Sequence, residues 1–224
     1  MLMALLRPSP PTREALRRSP DRRGEPDPRA TLRAMLRAGG ETVALPRRRA
    51  GRRHRRVVLL IDVSGSMAPY SDALLRFAHA VARRMPAEVF TRLTRITRQL
   101  RQRDAELALS AASRAVPDYS GGTRLGETMQ AFLDRWGQRG VARRAVVVVF
   151  SDGWERGDAT ALAEQMQRLR CLAHRVLWVN PHAGRAGYAP VQGGIVAALP
   201  HVDRLLAGHS LATLEQVLEE VRSA

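Results

Sequence analysis

An α/β fold with a mostly parallel central sheet and helices on both faces is predicted by three observations. Residues 57–63, 145–150 and 175–179 are mainly apolar stretches of strand length, interrupted only by Asp62 and Arg175, the pattern of strands covered on both faces. Between and after these runs the apolar residues recur at helical spacing, so strands and helices alternate. Aromatic residues make up only 4% of a chain that is 45% hydrophobic, which leaves Val, Leu, Ile and Ala to build the core.

The elements follow in order. Residues 57–63 form the first buried strand, and over 70–84 Leu74, Leu75, Ala78, Val81 and Ala82 share one helical face. Residues 88–97 are strand-like and 107–116 helical. Leu125, Met129, Phe132 and Leu133 mark a helix over 124–136. The strand 145–150 is followed by a helix at 159–172, the strand 175–179 and a helix at 211–221, with Ser210 placed to cap the last. No internal repeat occurs.

Ahead of the domain the composition changes. Residues 7–30 combine Pro8, Pro10, Pro11, Pro20, Pro26 and Pro28 with seven Arg, which is too little apolar surface to offset chain entropy. Residues 1–54 therefore read as a largely disordered Arg/Pro-rich leader with a short helical turn near 31–38. Residues 55–224 form the domain.

The net charge of +16 is carried by Arg alone, since the chain has no Lys. Residues 1–56 hold 16 Arg and 5 acids, so the domain itself is only mildly basic. The sole cysteine, Cys171, excludes an internal disulfide and is expected to be buried or half-buried in its helix. Residues 1–6 are too short for a signal core or membrane span, which makes a cytoplasmic location the expectation.

The chemistry concentrates at strand ends. The first strand runs into Asp62-Val63-Ser64-Gly65-Ser66, and 146–150 runs into Ser151-Asp152-Gly153. Open α/β sheets bind ligands beyond such carboxyl ends. If the two strands are neighbours, Asp62 and Asp152 meet over the sheet, and the flexible Ser120-Gly121-Gly122-Thr123 loop can deliver another hydroxyl. Two carboxylates and three hydroxyls, with no His or Cys, suit a hard cation such as Mg²⁺, with Mn²⁺ or Ca²⁺ as alternatives. A coordination position left open would attract an acidic side chain of a partner.

Asp62-x-Ser64-x-Ser66 with Thr123 and Asp152 resembles the metal-ion-dependent adhesion site of von Willebrand factor A (VWA) domains, whose fold is Rossmann-like. The wider sequence is similar to the CoxE-like subgroup through residues 59–67, 119–124, 150–158 (FSDGWERGD), 174–182 (HRVLWVNPH) and 198–210 (ALPHVDRLLAGHS). The resemblance covers about residues 30–222. It implies an intracellular, non-catalytic adaptor that partners a MoxR-type AAA+ ATPase in maturing a metalloenzyme such as carbon monoxide dehydrogenase. Members carry a longer segment ahead of the metal domain, which implies that this copy is shortened. They also carry a strand hairpin after the first helix; here residues 90–95 lack Gly, Asn or Asp to close it, so a distorted or single edge strand is expected.

Trp154, Glu155 and Arg156 follow Asp152 and are expected on the rim as partner contacts, although Trp154 equally fits a loop plug. His174, His182, His201 and His209 have no metal spacing and read as structural. Two other functions fit parts of the sequence. Nucleic-acid or acidic-partner binding through the Arg47–Arg56 run lacks an accompanying recognition motif. A Mg²⁺-dependent phosphatase using Asp62 as nucleophile needs an acid two residues on and a Lys; Ser64 stands at that position and Lys is absent.

Overall fold

A computed structural model describes residues 3, 6–41, 45–91, 94–116, 124–185 and 187–224, with the backbone alone at 16 and 17. The chain divides into two units, Thr12–His54 and Met1–Pro11 with Arg55–Ala224.

In the first unit, β1 (Thr12–Pro26) and β2 (Arg47–His54) pair antiparallel, with register shifts between Glu14 and Arg18 and between Pro20 and Glu25. Between them α1 (Pro28–Arg37) starts on Asp27, whose carboxylate accepts the N–H groups of Arg29 and Ala30 at 3.1 Å. The sequence reading expects no strand here and only a helical turn near 31–38. Backbone pairing needs no apolar side chains, which is how so polar a segment forms a ribbon. The helix begins earlier because Asp27 caps it and Pro28 fits its first position, and it buries no residue.

The second unit opens with β3 (Val57–Ile61), α2 (Ala68–Arg84), β4 (Ala87–Thr91), β5 (Thr94–Arg95), α3 (Thr97–Leu100) and α4 (Ala105–Ala115). There follow α5 (Leu125–Phe132), continued as a π-helical stretch over Leu133–Val141, then β6 (Val146–Phe150), α6 (Ala159–Leu172) and β7 (Arg175–Asn180). Helix α7 (Gly193–Ala198), β8 (Arg204–Ala207) and α8 (Leu211–Arg222) complete it. Among the described residues six strands form one sheet in the order β5-β4-β3-β6-β7-β8, parallel except for β5.

Alternate strand residues feed two apolar layers. Val57, Leu59, Ile61, Val146, Val148 and Phe150 pack with α2, α4 and α8, while Val58, Leu60, Val147, Val149 and Trp178 pack with α5, α6 and α7. Leu6 is wholly buried in the first layer. Each such side chain contributes about 1.5–3 kcal/mol by leaving water. Ser210 caps α8 as expected: its hydroxyl accepts the Thr213 N–H while the Thr213 side chain accepts the Ser210 N–H.

Three expectations are corrected. Cys171 is exposed, because it lies on the solvent side of α6 while Leu162, Met166 and Leu169 face the sheet. The edge hairpin exists: Phe90 pairs with Arg95 and Thr91 with Thr94, although β5 is only two residues long. Residues 92 and 93, which connect them, lie outside the described residues. The first strand ends at Ile61 instead of running on to 63, since the chain turns away at Asp62 after one last bond from its N–H to the Phe150 carbonyl (2.9 Å).

Candidate metal centre

The strand order creates the site. From β3 the chain moves outward to β4 and β5, then returns to the other flank of β3 as β6, so β3 and β6 meet at a switch point where adjoining connections leave in opposite directions. Ile61 pairs with Phe150 in register, which sets Asp62 level with Ser151 at the carboxyl ends of the two central strands.

Asp62 is 7% exposed and Asp152 5%. The Asp62 carboxylate accepts the Ser64 N–H (2.9 Å) through Oδ1 and the Ser151 hydroxyl (2.8 Å) through Oδ2. Burial raises its proton affinity above that of an ordinary aspartate; its hydrogen bonds with Ser64, through backbone and side chain, and with Ser151 oppose this, and the nearby charge of Asp152 adds to it. The hydroxyls of Ser64 and Ser66 lie 3.2 Å apart on the turn beyond β3, and neither the short turn Gly65–Met67 nor α2 uses a side-chain cap. Of the five residues named from sequence, Asp62, Ser64 and Ser66 share the turn beyond β3, and Asp152 lies on the loop beyond the neighbouring β6. Thr123 lies outside the described residues.

The second loop is braced from behind. Ser151 is wholly buried; its hydroxyl also accepts the Gly153 N–H (3.1 Å), and its carbonyl accepts the indole N–H of the buried Trp178 (2.9 Å). Asn180, at the end of β7 and wholly buried, donates through Nδ2 to the Asp152 carbonyl (3.1 Å) and the Tyr188 hydroxyl (2.8 Å) and accepts the His182 N–H (2.8 Å). Burial, with Asp152 nearby, raises the Tyr188 phenol above its ordinary range. Neither Asn180 nor Tyr188 is among the site residues expected from sequence. The signal available is that Asn180 is the only Asn of the chain and ends a buried strand.

Gly153 has φ +81, and a Cβ there would lie 2.5 Å from the Ile195 side chain, so the turn after Asp152 and the close approach of α7 both require glycine. Beyond it Trp154 is 60% exposed and Arg156 is exposed. Glu155 turns inward: its carboxylate accepts the Gly126 N–H at the start of α5 (2.9 Å) and the Gly157 N–H (3.1 Å). Two buried carboxylates, with two hydroxyls not used as caps, are a donor set compatible with a hard divalent cation.

The family model for VWA domain containing CoxE-like proteins matches residues 2–214. The chain belongs to the CoxE-like family of VWA-domain proteins. Among curated protein sequences there is no match. A von Willebrand factor type A structure from Catenulispora acidiphila is similar with a TM-score of 0.50 at 15% identity, over 79% of this chain and 43% of that one. Proximal thread matrix protein 1 of the mussel byssus gives 0.49 at 15% identity over 75% and 45%, and the SpRpn10 VWA domain 0.42 at 16% over 76% and 97%. The chain spans less than half the length of the first two. A CoxE-like VWA domain is a protein-interaction module, and no helix among the described residues is long and apolar enough to cross a membrane.

Proposed function

We propose that this VWA domain grips a partner protein through one divalent cation, Mg²⁺ in the first instance, held by Asp62, Ser64, Ser66, Thr123 and Asp152. The observation that supports the reading is that Asp62, with the Ser64 and Ser66 hydroxyls on its turn, and Asp152 both stand buried or part-buried at the carboxyl ends of the two neighbouring central strands. When bound, the cation offers an open coordination position to an acidic side chain of the partner. Trp154 and Arg156 supply exposed rim contacts, and Glu155 holds the loop that presents them.

The partner proposed is a MoxR-type AAA+ ATPase, with this chain as a non-catalytic cytoplasmic adaptor in assembling the metal centre of an enzyme such as carbon monoxide dehydrogenase. Family membership supports it. The test is capture of that ATPase by the full chain with Mg²⁺ or chelator, alongside Asp62→Ala and Thr123→Ala. Capture should fail in chelator and in both variants. Capture indifferent to all three would sink the metal bridge.

A further inference from the structure

Helix α2 has a different character at each end. Its N-terminus follows the Asp62–Ser66 turn; its C-terminus, about 25 Å away for a helix of this length, enters a surface dominated by Arg. One cleft there, of about 420 Å³, is lined by Met3, Arg76, His79, Arg83, Arg84 and Arg103 among others. A more open recess of about 450 Å³ shares Arg83 and Arg84 and adds Arg101 beside Met85 and Pro86.

Three of these guanidinium groups are held in place by backbone carbonyls. Arg83 donates to the Arg103 carbonyl (2.9 Å), Arg101 to the Ala87 carbonyl (3.2 Å) and Arg84 to the Leu6 carbonyl. A guanidinium has five donors in a fixed fork, so one bond to a carbonyl fixes its direction and leaves several N–H groups for an anion. Arg76 is already matched by Asp72 and Glu106. Among the described residues, Arg83, Arg84, Arg101 and Arg103 have no carboxylate within ion-pair distance. The surface is thus positive, preorganised and unneutralised, and Met3, Ala80, Ala82 and Met85 give it apolar floor.

We propose that this end of α2 is a second, metal-independent docking surface for an acidic protein segment with interspersed apolar residues. Protein is favoured over nucleic acid by the lining. Among the described residues no Phe, Tyr or Trp lines it for base stacking, and the aromatic ring there, His79, is 9% exposed with Nδ1 2.7 Å from the Leu100 carbonyl. With the candidate metal centre at the other end of the helix, a partner bridging both would gain from effective concentration.

The experiment uses the full chain in chelator, so that its result does not depend on the metal-site reading. A labelled peptide of repeated Glu-Glu-Leu is titrated by fluorescence anisotropy against the unaltered chain and against Arg83→Glu with Arg103→Glu. The milder pair Arg83→Gln with Arg103→Gln, and Arg52→Glu with Arg53→Glu as a control in the arm, are run alongside. Circular dichroism checks each fold. Charge reversal in the cleft should weaken binding by about tenfold or more, the Gln pair by less, and the arm control by about twofold at most. Equal loss from the arm control overturns the proposal. So does tighter binding of a single-stranded oligoribonucleotide of matched charge through the same cleft arginines, which would make this a nucleic-acid surface.

Discussion

Ser151 donates its hydroxyl to the Asp62 carboxylate at 2.8 Å across the junction of β3 and β6, and the same oxygen accepts the Gly153 N–H. One buried hydroxyl therefore fixes both loops of the candidate centre. Ser151→Ala leaves a buried carboxylate oxygen and a buried N–H without that partner, at a cost of about 1–3 kcal/mol each where no water replaces it. We expect a loss of about 2 kcal/mol in urea unfolding. Mg²⁺ affinity by calorimetry should fall by about tenfold or more, as for other groups that orient ligands from behind. Unchanged affinity in a stably folded variant would separate Ser151 from the site.

How much of this was legible follows from the range over which each signal acts. The apolar runs around residues 57–61 and 146–150 announce central strands, and carboxylates just past such strands stand out within a few residues. Asn180 is different. It meets Asp152 only because β7 lies beside β6, a pairing that no local pattern encodes. Helix α7 and β8, of six and four residues, are too short for periodicity to declare, although α7 packs directly on Gly153. The ribbon of β1 and β2 was invisible for another reason: its pairing rests on backbone groups common to every sequence.

Acidity should act on the centre with an unusual sign. Asp62 binds its proton more tightly in the folded chain than in the unfolded one, where its ordinary value is 3.8. Above that value the folded state holds more protons, so the contribution of Asp62 to stability falls as pH rises through its raised folded value and is fully present only below about 3.8. In chelator, the stability of the unaltered chain relative to Asp62→Asn should decline as pH rises above about 3.8. Mg²⁺ at neutral pH should restore it. Denaturant melts across that range, with and without Mg²⁺, give the comparison; a difference flat with pH would refute the burial argument.

Asn180→Leu keeps volume and removes three hydrogen bonds at once, to the Asp152 carbonyl, the Tyr188 hydroxyl and the His182 N–H. Buried groups stranded in this way cost about 1–3 kcal/mol each where water cannot enter, so a loss of about 3 kcal/mol or more is expected. Tyr188→Phe removes one of the three and should cost about 1 kcal/mol. In the double variant the effects should fall short of additive, because Tyr188 has already lost its partner. Strict additivity would show that the Asn180–Tyr188 bond does not form in solution.

Trp154 separates binding from folding. The residue is 60% exposed, and its backbone N–H donates to the Asp152 carboxylate (3.1 Å), so the side chain can be removed without disturbing that bond. Trp154→Ala should leave denaturant stability within about 0.5 kcal/mol of the unaltered chain. Mg²⁺ affinity should hold for the same reason. Capture of the partner should weaken by about 2 kcal/mol, roughly thirtyfold, if the indole anchors it. Loss of stability on the same substitution would instead mark Trp154 as a plug that secures the loop, and the rim contacts would then have to come from Arg156 and its neighbours.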